Sequence, residues 1–174
     1  ALYRQKGAFA FLHDTHAAMD AYAKAVELDP DDPDGWNQLG RLQLRTGALD
    51  AAITSFERVL ALGNKLAEKS IQARATVFLG WINFTKGNMA TAEQLSEQAV
   101  ELATAAGDPR QQMQALGNLA VIYRMRGDLE KAQNVGDRVL ELSEELDDRE
   151  GQARATAILG IIYMTRGELD RAEA

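Results

Sequence analysis

The chain has 174 residues, is 46% apolar and 26% charged, and carries a net charge of −7. It contains no cysteine, which excludes disulfide frameworks and thiolate metal sites. The acidic balance argues against unspecific attraction to phosphate backbones or anionic lipid, and no apolar run approaches the roughly 18 residues of a membrane span. We therefore expect no nucleic-acid partner, no membrane insertion and, because no signal-peptide pattern is present, a cytoplasmic location.

Helix-forming residues dominate the first third of the chain, and only 3 prolines interrupt the whole sequence. A first pair of helices is predicted to end at Asp29-Pro30, because proline disfavours helix in the residue before it. The next helix is predicted to begin near Pro33, since proline suits a first helical turn, and to end at Gly47. The four helices predicted here cover approximately 1–12, 17–28, 33–46 and 48–66.

The rest of the chain repeats this plan at an interval of 40 residues. A glycine marks the turn inside each pair, at positions 47, 87, 127 and 167. A small residue at positions 40, 80, 120 and 160 lets the paired helices approach closely. Asp108, with Gln111 three positions later, resembles a capping box at the start of one pair. Gly136 lies in a helix interior, and we interpret it as making room for a neighbouring side chain.

Self-similarity of this period predicts a solenoid, in which each unit buries its apolar face by stacking on its neighbours. We expect an all-α fold of antiparallel helix pairs in one domain, with four to five repeats, the last one incomplete. The predicted units are about 1–32, 33–67, 68–107, 108–147 and 148–174.

Residues of the second unit carry a resemblance to a known family. The spacing Trp36-x-x-Leu39-Gly40, followed by Gly47, Ala52 and Phe56, is similar to the tetratricopeptide repeat. The later units resemble the 40-residue variant of this repeat in kinesin light chains, Pins-type adaptors and bacterial regulatory proteins. The resemblance implies a right-handed superhelix whose concave groove binds a peptide or helix of a partner. It also implies that Trp36, Tyr123 and Tyr163 belong to the core.

The family's register assigns the groove to particular faces of the first helix of each pair. The arginines among these candidates suit a carboxylate or an acidic partner segment, through forked hydrogen bonds. The candidate partner-binding residues are Asn37, Arg41, Arg45, Arg74, Phe78, Trp81, Gln114, Asn118, Val121, Arg124 and Arg154.

Asn118 is the most specific polar candidate, because it aligns with an asparagine that related adaptors use to hold the backbone of an extended peptide. An amide offers both a donor and an acceptor to a peptide unit that has left water. The alternative is an exposed helix residue bonded to water. The aromatic residues Phe78, Trp81 and Phe84 share one side of a helix, where they fit either a binding anchor or the core.

The chain offers little for catalysis. His13 and His16 are the only histidines and have no second cluster of ligands, so a metal site is not expected. Neither a phosphate-binding glycine loop nor a calcium loop is present. We expect no enzymatic activity and no cofactor.

Three functional interpretations remain open. The favoured one is a scaffold that binds a protein or peptide segment in its groove. The second is self-association, in which the degenerate first unit, with Lys6-Gly7 in place of Leu-Gly, docks into the groove of another copy. The third is the sensory part of a larger protein, because the last unit breaks off inside its second helix and an effector domain is then expected outside this chain.

Overall fold

The computed structural model describes residues 2–10 and 14–167, and within these ranges every element is an α-helix. His13 and the second helix predicted for the last unit lie outside the described residues. The helices are α1 Leu2–Ala10, α2 Thr15–Leu28, α3 Pro33–Arg45, α4 Leu49–Leu66, α5 Lys69–Thr85, α6 Met89–Ala106, α7 Pro109–Arg126, α8 Leu129–Glu145 and α9 Arg149–Arg166.

Aspartates fix the starts of four helices by accepting hydrogen bonds from the first free backbone N–H groups. Asp14, Asp32 and Asp148 cap α2, α3 and α9 in this way. At α7 the carboxylate of Asp108 accepts from the backbone N–H of Gln111 at 3.1 Å. The Oε1 atom of Gln111 is buried without a hydrogen-bond partner among the described residues, so only half of the predicted capping box is formed.

Residues with a left-handed backbone conformation follow the ends of several helices, at regular intervals along the chain. The glycines at 47, 87, 127 and 167 have φ between 77° and 84°, which confirms their predicted role as turns within the pairs. The junctions between pairs also use this region, at Ala67, Gly107 and Asp147, with φ of 55°, 63° and 50°. The last three junctions therefore share a similar backbone turn, whereas the first, after α2, has Asp29 with a φ of −137°.

Small residues set the distance between packed helices. A Cβ atom on Gly40 would lie 2.9 Å from Cζ of Phe56, which belongs to the partner helix α4 and is fully buried. A Cβ on Gly136 in α8 would lie 2.8 Å from Cδ2 of Leu159 in α9. The prediction that Gly136 makes room for a neighbouring side chain is confirmed.

The helices stack in sequence, each packing on the one before it, and the first helices of successive pairs also contact one another. Apolar clusters lie between these layers, and Trp36 packs half-buried against the one that joins α2 to α3. Its indole N–H donates to the carbonyl of Pro30 at 3.0 Å. Tyr123 is buried, whereas Tyr163 is half-buried. The predicted all-α solenoid of helix pairs is confirmed, and no described helix has the length and apolar character needed to cross a bilayer.

Candidate functional site

An open cavity of about 560 Å³ runs across the first helices of four consecutive pairs, α3, α5, α7 and α9. This volume lies within the ordinary range for ligand sites. We call this surface the groove. It is lined by Arg41, Leu44, Val77, Phe78, Trp81, Gln114, Gly117, Asn118, Val121, Arg154 and Ile158.

Two aromatic rings of α5 form the apolar floor of the groove. Phe78 is half-buried, and its ring stacks on Phe56 with 4.6 Å between centroids and 11° between planes. Trp81 keeps 36% of its surface exposed and tilts against Phe84 at 5.3 Å. Phe78 is therefore both core and groove, Trp81 presents its ring to the groove, and Phe84 does not line it.

Asn118 is held in place by a hydrogen bond to the preceding repeat. Its Nδ2 donates to the backbone carbonyl of Val77 at 3.0 Å, which links α7 to α5. This bond uses one of the two N–H groups on Nδ2, and no described donor bonds to Oδ1. The amide therefore keeps its second N–H as a donor and its Oδ1 as an acceptor, the two functions that the sequence suggested.

Two arginines near the groove, Arg74 and Arg154, differ in whether a carboxylate of this chain lies next to them. The guanidinium of Arg74 lies 2.9 Å from the carboxylate of Asp34, which also lies 3.7 Å from Arg4. Arg154 occupies the position of Arg74 two repeats later, and it is exposed with no carboxylate partner among the described residues. The guanidinium of Arg74 is thus paired with a carboxylate of this chain, whereas that of Arg154 is not paired with any described carboxylate.

Seven of the eleven predicted residues line the groove, namely Arg41, Phe78, Trp81, Gln114, Asn118, Val121 and Arg154. The other four do not. Asn37 is only 4% exposed, so its amide is buried between helices. Arg45 donates to the hydroxyl of Thr15 at 2.7 Å, and Arg74 is directed to Asp34. Arg124 is half-buried outside the cavity.

Four residues that line the groove were absent from the predicted set, namely Leu44, Val77, Gly117 and Ile158. Leu44 lies one turn beyond Arg41 and also packs against the core, which its apolar character had indicated. Gly117 had a usable signal, because it is a glycine in the middle of a helix without any turn near it. Three further apolar side chains of α7 and α9 are exposed without lining the cavity, namely Met125, Ile161 and Met164.

The described residues around the groove include few side chains suited to catalysis or metal binding. No cluster of metal-ligating side chains occurs in the described ranges. Among the described residues, Tyr123 has a strongly raised pKa, but it lies in the core outside the groove. Burial, the charge of Glu97 and the 3.2 Å hydrogen bond that its hydroxyl donates to Glu97 together raise the pKa of Tyr123 to about 12.

Family models described as tetratricopeptide repeat match residues 33–105 and 111–174, and a further one matches residues 8–32. The chain belongs to the tetratricopeptide repeat family. The resemblance inferred from the sequence is thereby confirmed at the level of the family. A sequence search of curated proteins found no significant match.

Solved structures share this tetratricopeptide repeat fold at low identity. MamA matches with a TM-score of 0.69 and 23% identity over 98% of this chain and 84% of its own. BtubC (BKLC) from P. vanneervenii matches with a TM-score of 0.77 and 22% identity over 98% and 71%. A Rap protein complexed with Competence and Sporulation Factor matches with a TM-score of 0.84 and 16% identity over 98% and 50%.

Membership in the tetratricopeptide repeat family points to a protein-interaction scaffold, typically a non-catalytic one. The partner of such a scaffold is a protein or a peptide. The side chains of the groove determine which kind of partner segment can bind, since function belongs to sites rather than to folds.

Proposed function

We propose that this protein is a scaffold that binds an acidic peptide segment of a partner in the groove. The composition of the groove carries this proposal. Its lining contains two arginines and no carboxylate, although the chain as a whole has a net charge of −7. A positive groove on an acidic protein attracts segments that carry carboxylates and disfavours segments with lysine or arginine.

The apolar part of the groove supplies affinity that charge alone would not. Trp81, Val121 and Ile158 line it from three successive repeats, so a ligand segment that runs along the groove can contact all three helices. Burying about 100 Å² of apolar surface there contributes roughly 2.5 kcal/mol. Tryptophan is also enriched among the residues that contribute most of the binding energy in protein interfaces.

The similarity to the Rap protein is compatible with this proposal. That protein is described in complex with Competence and Sporulation Factor. The likeness covers half of its chain at 16% identity, so it supports a common scaffold and leaves the partner to be argued from the groove.

A selection experiment tests the proposal. Random dodecapeptides displayed on phage are selected on the wild-type protein, and the enriched sequences are synthesised and titrated by fluorescence anisotropy. We expect enrichment of Asp or Glu near a large apolar residue, and loss of binding in Trp81→Ala. Leu66→Ala is the control, because Leu66 is 52% exposed and lies in α4 outside the groove.

Two outcomes would contradict the proposal. In the first, the enriched peptides bind Trp81→Ala as well as they bind the wild-type protein. In the second, the groove is filled by another copy of the chain, which sedimentation would detect as a dimer that Trp81→Ala dissociates. That second outcome would instead support the self-association interpretation.

A further inference from the structure

Gly117 differs from seven other glycines of the described helices. Those seven, in α1, α3, α4, α5, α8 and α9, have neighbours that would lie 3.0 Å or less from an added Cβ atom. Packing explains them, because a larger residue would have to displace a neighbour. An added Cβ on Gly117, in the middle of α7, would meet no atom of another helix within 4 Å.

The fold gains no stability from a glycine at this position. Glycine is among the least favourable residues in a helix interior, because it loses the most backbone freedom on folding. The equivalent positions one repeat earlier and one repeat later carry Val77 and Ala157, so the repeat accommodates a side chain there. Residues that break a local rule without helping the fold are expected at functional sites.

The open space above Gly117 belongs to the groove, and we call it the hollow. Gly117 is half-buried and lines the groove, yet nothing from another helix fills the volume that its side chain would take. Apolar side chains line the groove on both sides of α7, from Phe78 of α5 and Ile158 of α9, and Val121 lies one turn further along α7. The hollow therefore has a main-chain floor and apolar surroundings.

We propose that the hollow receives a large apolar side chain of the bound segment, of leucine size or larger. Gly117 then determines which side chains the groove accepts, because any side chain at position 117 would occupy the same space. Moving an apolar side chain from water into apolar surroundings is favourable, and a floor without a Cβ lets that side chain come closer. This inference rests on the proposed function and specifies which part of the ligand the groove selects.

The test uses a synthetic dodecapeptide from the selection described above, chosen because its binding is lost in Trp81→Ala. Gly117→Val, which introduces the residue type of the preceding repeat, should weaken binding of this peptide at least about tenfold. Gly117→Ala adds a single methyl group and should give a smaller loss, so it also serves if Gly117→Val does not fold. Ala157→Val is the matched control, because position 157 does not line the cavity, and it should change affinity by less than about twofold.

A double-mutant cycle identifies the side chain that enters the hollow. Each large apolar residue of the peptide is replaced in turn by alanine, and its affinity is measured for the wild-type protein and for Gly117→Val. At one position the replacement should weaken binding to the wild type but should not further weaken binding to Gly117→Val. A second phage selection on Gly117→Val should enrich smaller residues at that position.

The outcomes separate the inference from the proposed function. If Gly117→Val binds the peptide with wild-type affinity while Trp81→Ala does not, the role of the hollow is refuted and the groove stands. Losses that simply add in the cycle, for every apolar residue of the peptide, would also refute it. If no selected peptide depends on Trp81, the proposed function itself has failed.

Discussion

The guanidinium of Arg74 and the carboxylate of Asp34 lie 2.9 Å apart, and they occupy the same position in neighbouring repeats. The pair joins α5 to α3, with 26% of the Arg74 side chain and 51% of the Asp34 side chain exposed. This contact stabilises the packing of one repeat on the next. It occupies the guanidinium of Arg74, which the sequence had assigned to a ligand. Arg154, two repeats further on, retains that charge for the groove.

Arg154→Ala should therefore weaken binding of the selected acidic dodecapeptide about tenfold, because a charge-assisted hydrogen bond to a ligand carboxylate is lost. Arg74→Ala, the matched change at the equivalent position, should alter affinity less than threefold. Fluorescence anisotropy at low and high salt measures both, and the difference should shrink as salt screens the charge. Equal losses in the two variants would show that Arg74 also contacts the peptide.

The junction between the second and third pairs contains an alanine in the left-handed region. Ala67→Gly should raise the free energy of unfolding by about 1 kcal/mol, since the Cβ of alanine is disfavoured at a φ of 55°. Gly107→Ala, the reverse change one repeat later, should lower it by a similar amount. Urea denaturation measures both, and a loss of stability in Ala67→Gly would contradict the strain assigned to this turn.

Alanine substitutions at two helix-interior glycines should have opposite effects on stability. Gly117→Ala should raise the free energy of unfolding by about 0.5–1 kcal/mol through helix propensity alone. Gly136→Ala should lower it by roughly 1–2 kcal/mol, because the new methyl group would lie 2.8 Å from Cδ2 of buried Leu159. Thermal and urea unfolding of both variants test this, and a stabilising Gly136→Ala would mean that Leu159 moves aside freely.

Tyr123 should make unfolding depend on pH in the alkaline range. Its pKa is raised to about 12 in the folded protein, from an ordinary value near 10, so its contribution is complete below pH 10. That contribution should be lost as the pH rises from 10 through 12. Tyr123→Phe should lower stability at pH 8 by about 1 kcal/mol, through loss of the bond to Glu97, and should flatten the decline above pH 10. If Tyr123→Phe lost stability above pH 10 as steeply as the wild type, that loss would come from other titrating groups.

The sequence predicted the repeat well because its signals are local. The turn glycines and the aspartates at helix starts act within one or two turns of the chain, and the 40-residue interval carried their positions from one unit to the next. Asn118 and Trp81 could be placed on the groove face for the same reason. The role of Gly136 was also predicted from its place in a helix interior, and the short distance to Leu159 agrees with it.

The other site residues depended on contacts between repeats, which spacing does not reveal. Arg74 is turned to Asp34 by charge pairing across 40 positions, and Arg45 bonds to Thr15 across 30. Asn37 is buried, whereas Gly117, at the equivalent position two repeats later, is only half-buried. Residues at equivalent positions of different repeats can therefore have different surroundings. Gly117 and Gly136 both lie in helix interiors, and only the packing distinguishes the open space at Gly117 from the close contact of Gly136 with Leu159.

The most direct test of the central proposal is to map the selected dodecapeptide onto the protein by NMR, using ¹⁵N-labelled chain and unlabelled peptide. The groove proposal predicts that the indole N–H of Trp81, the side-chain amide of Asn118 and the backbone N–H of Gly117 shift on titration. Signals from α4, α6 and α8, which do not line the groove, should stay in place. Shifts concentrated on those three helices, with the Trp81 indole unmoved, would contradict the proposal.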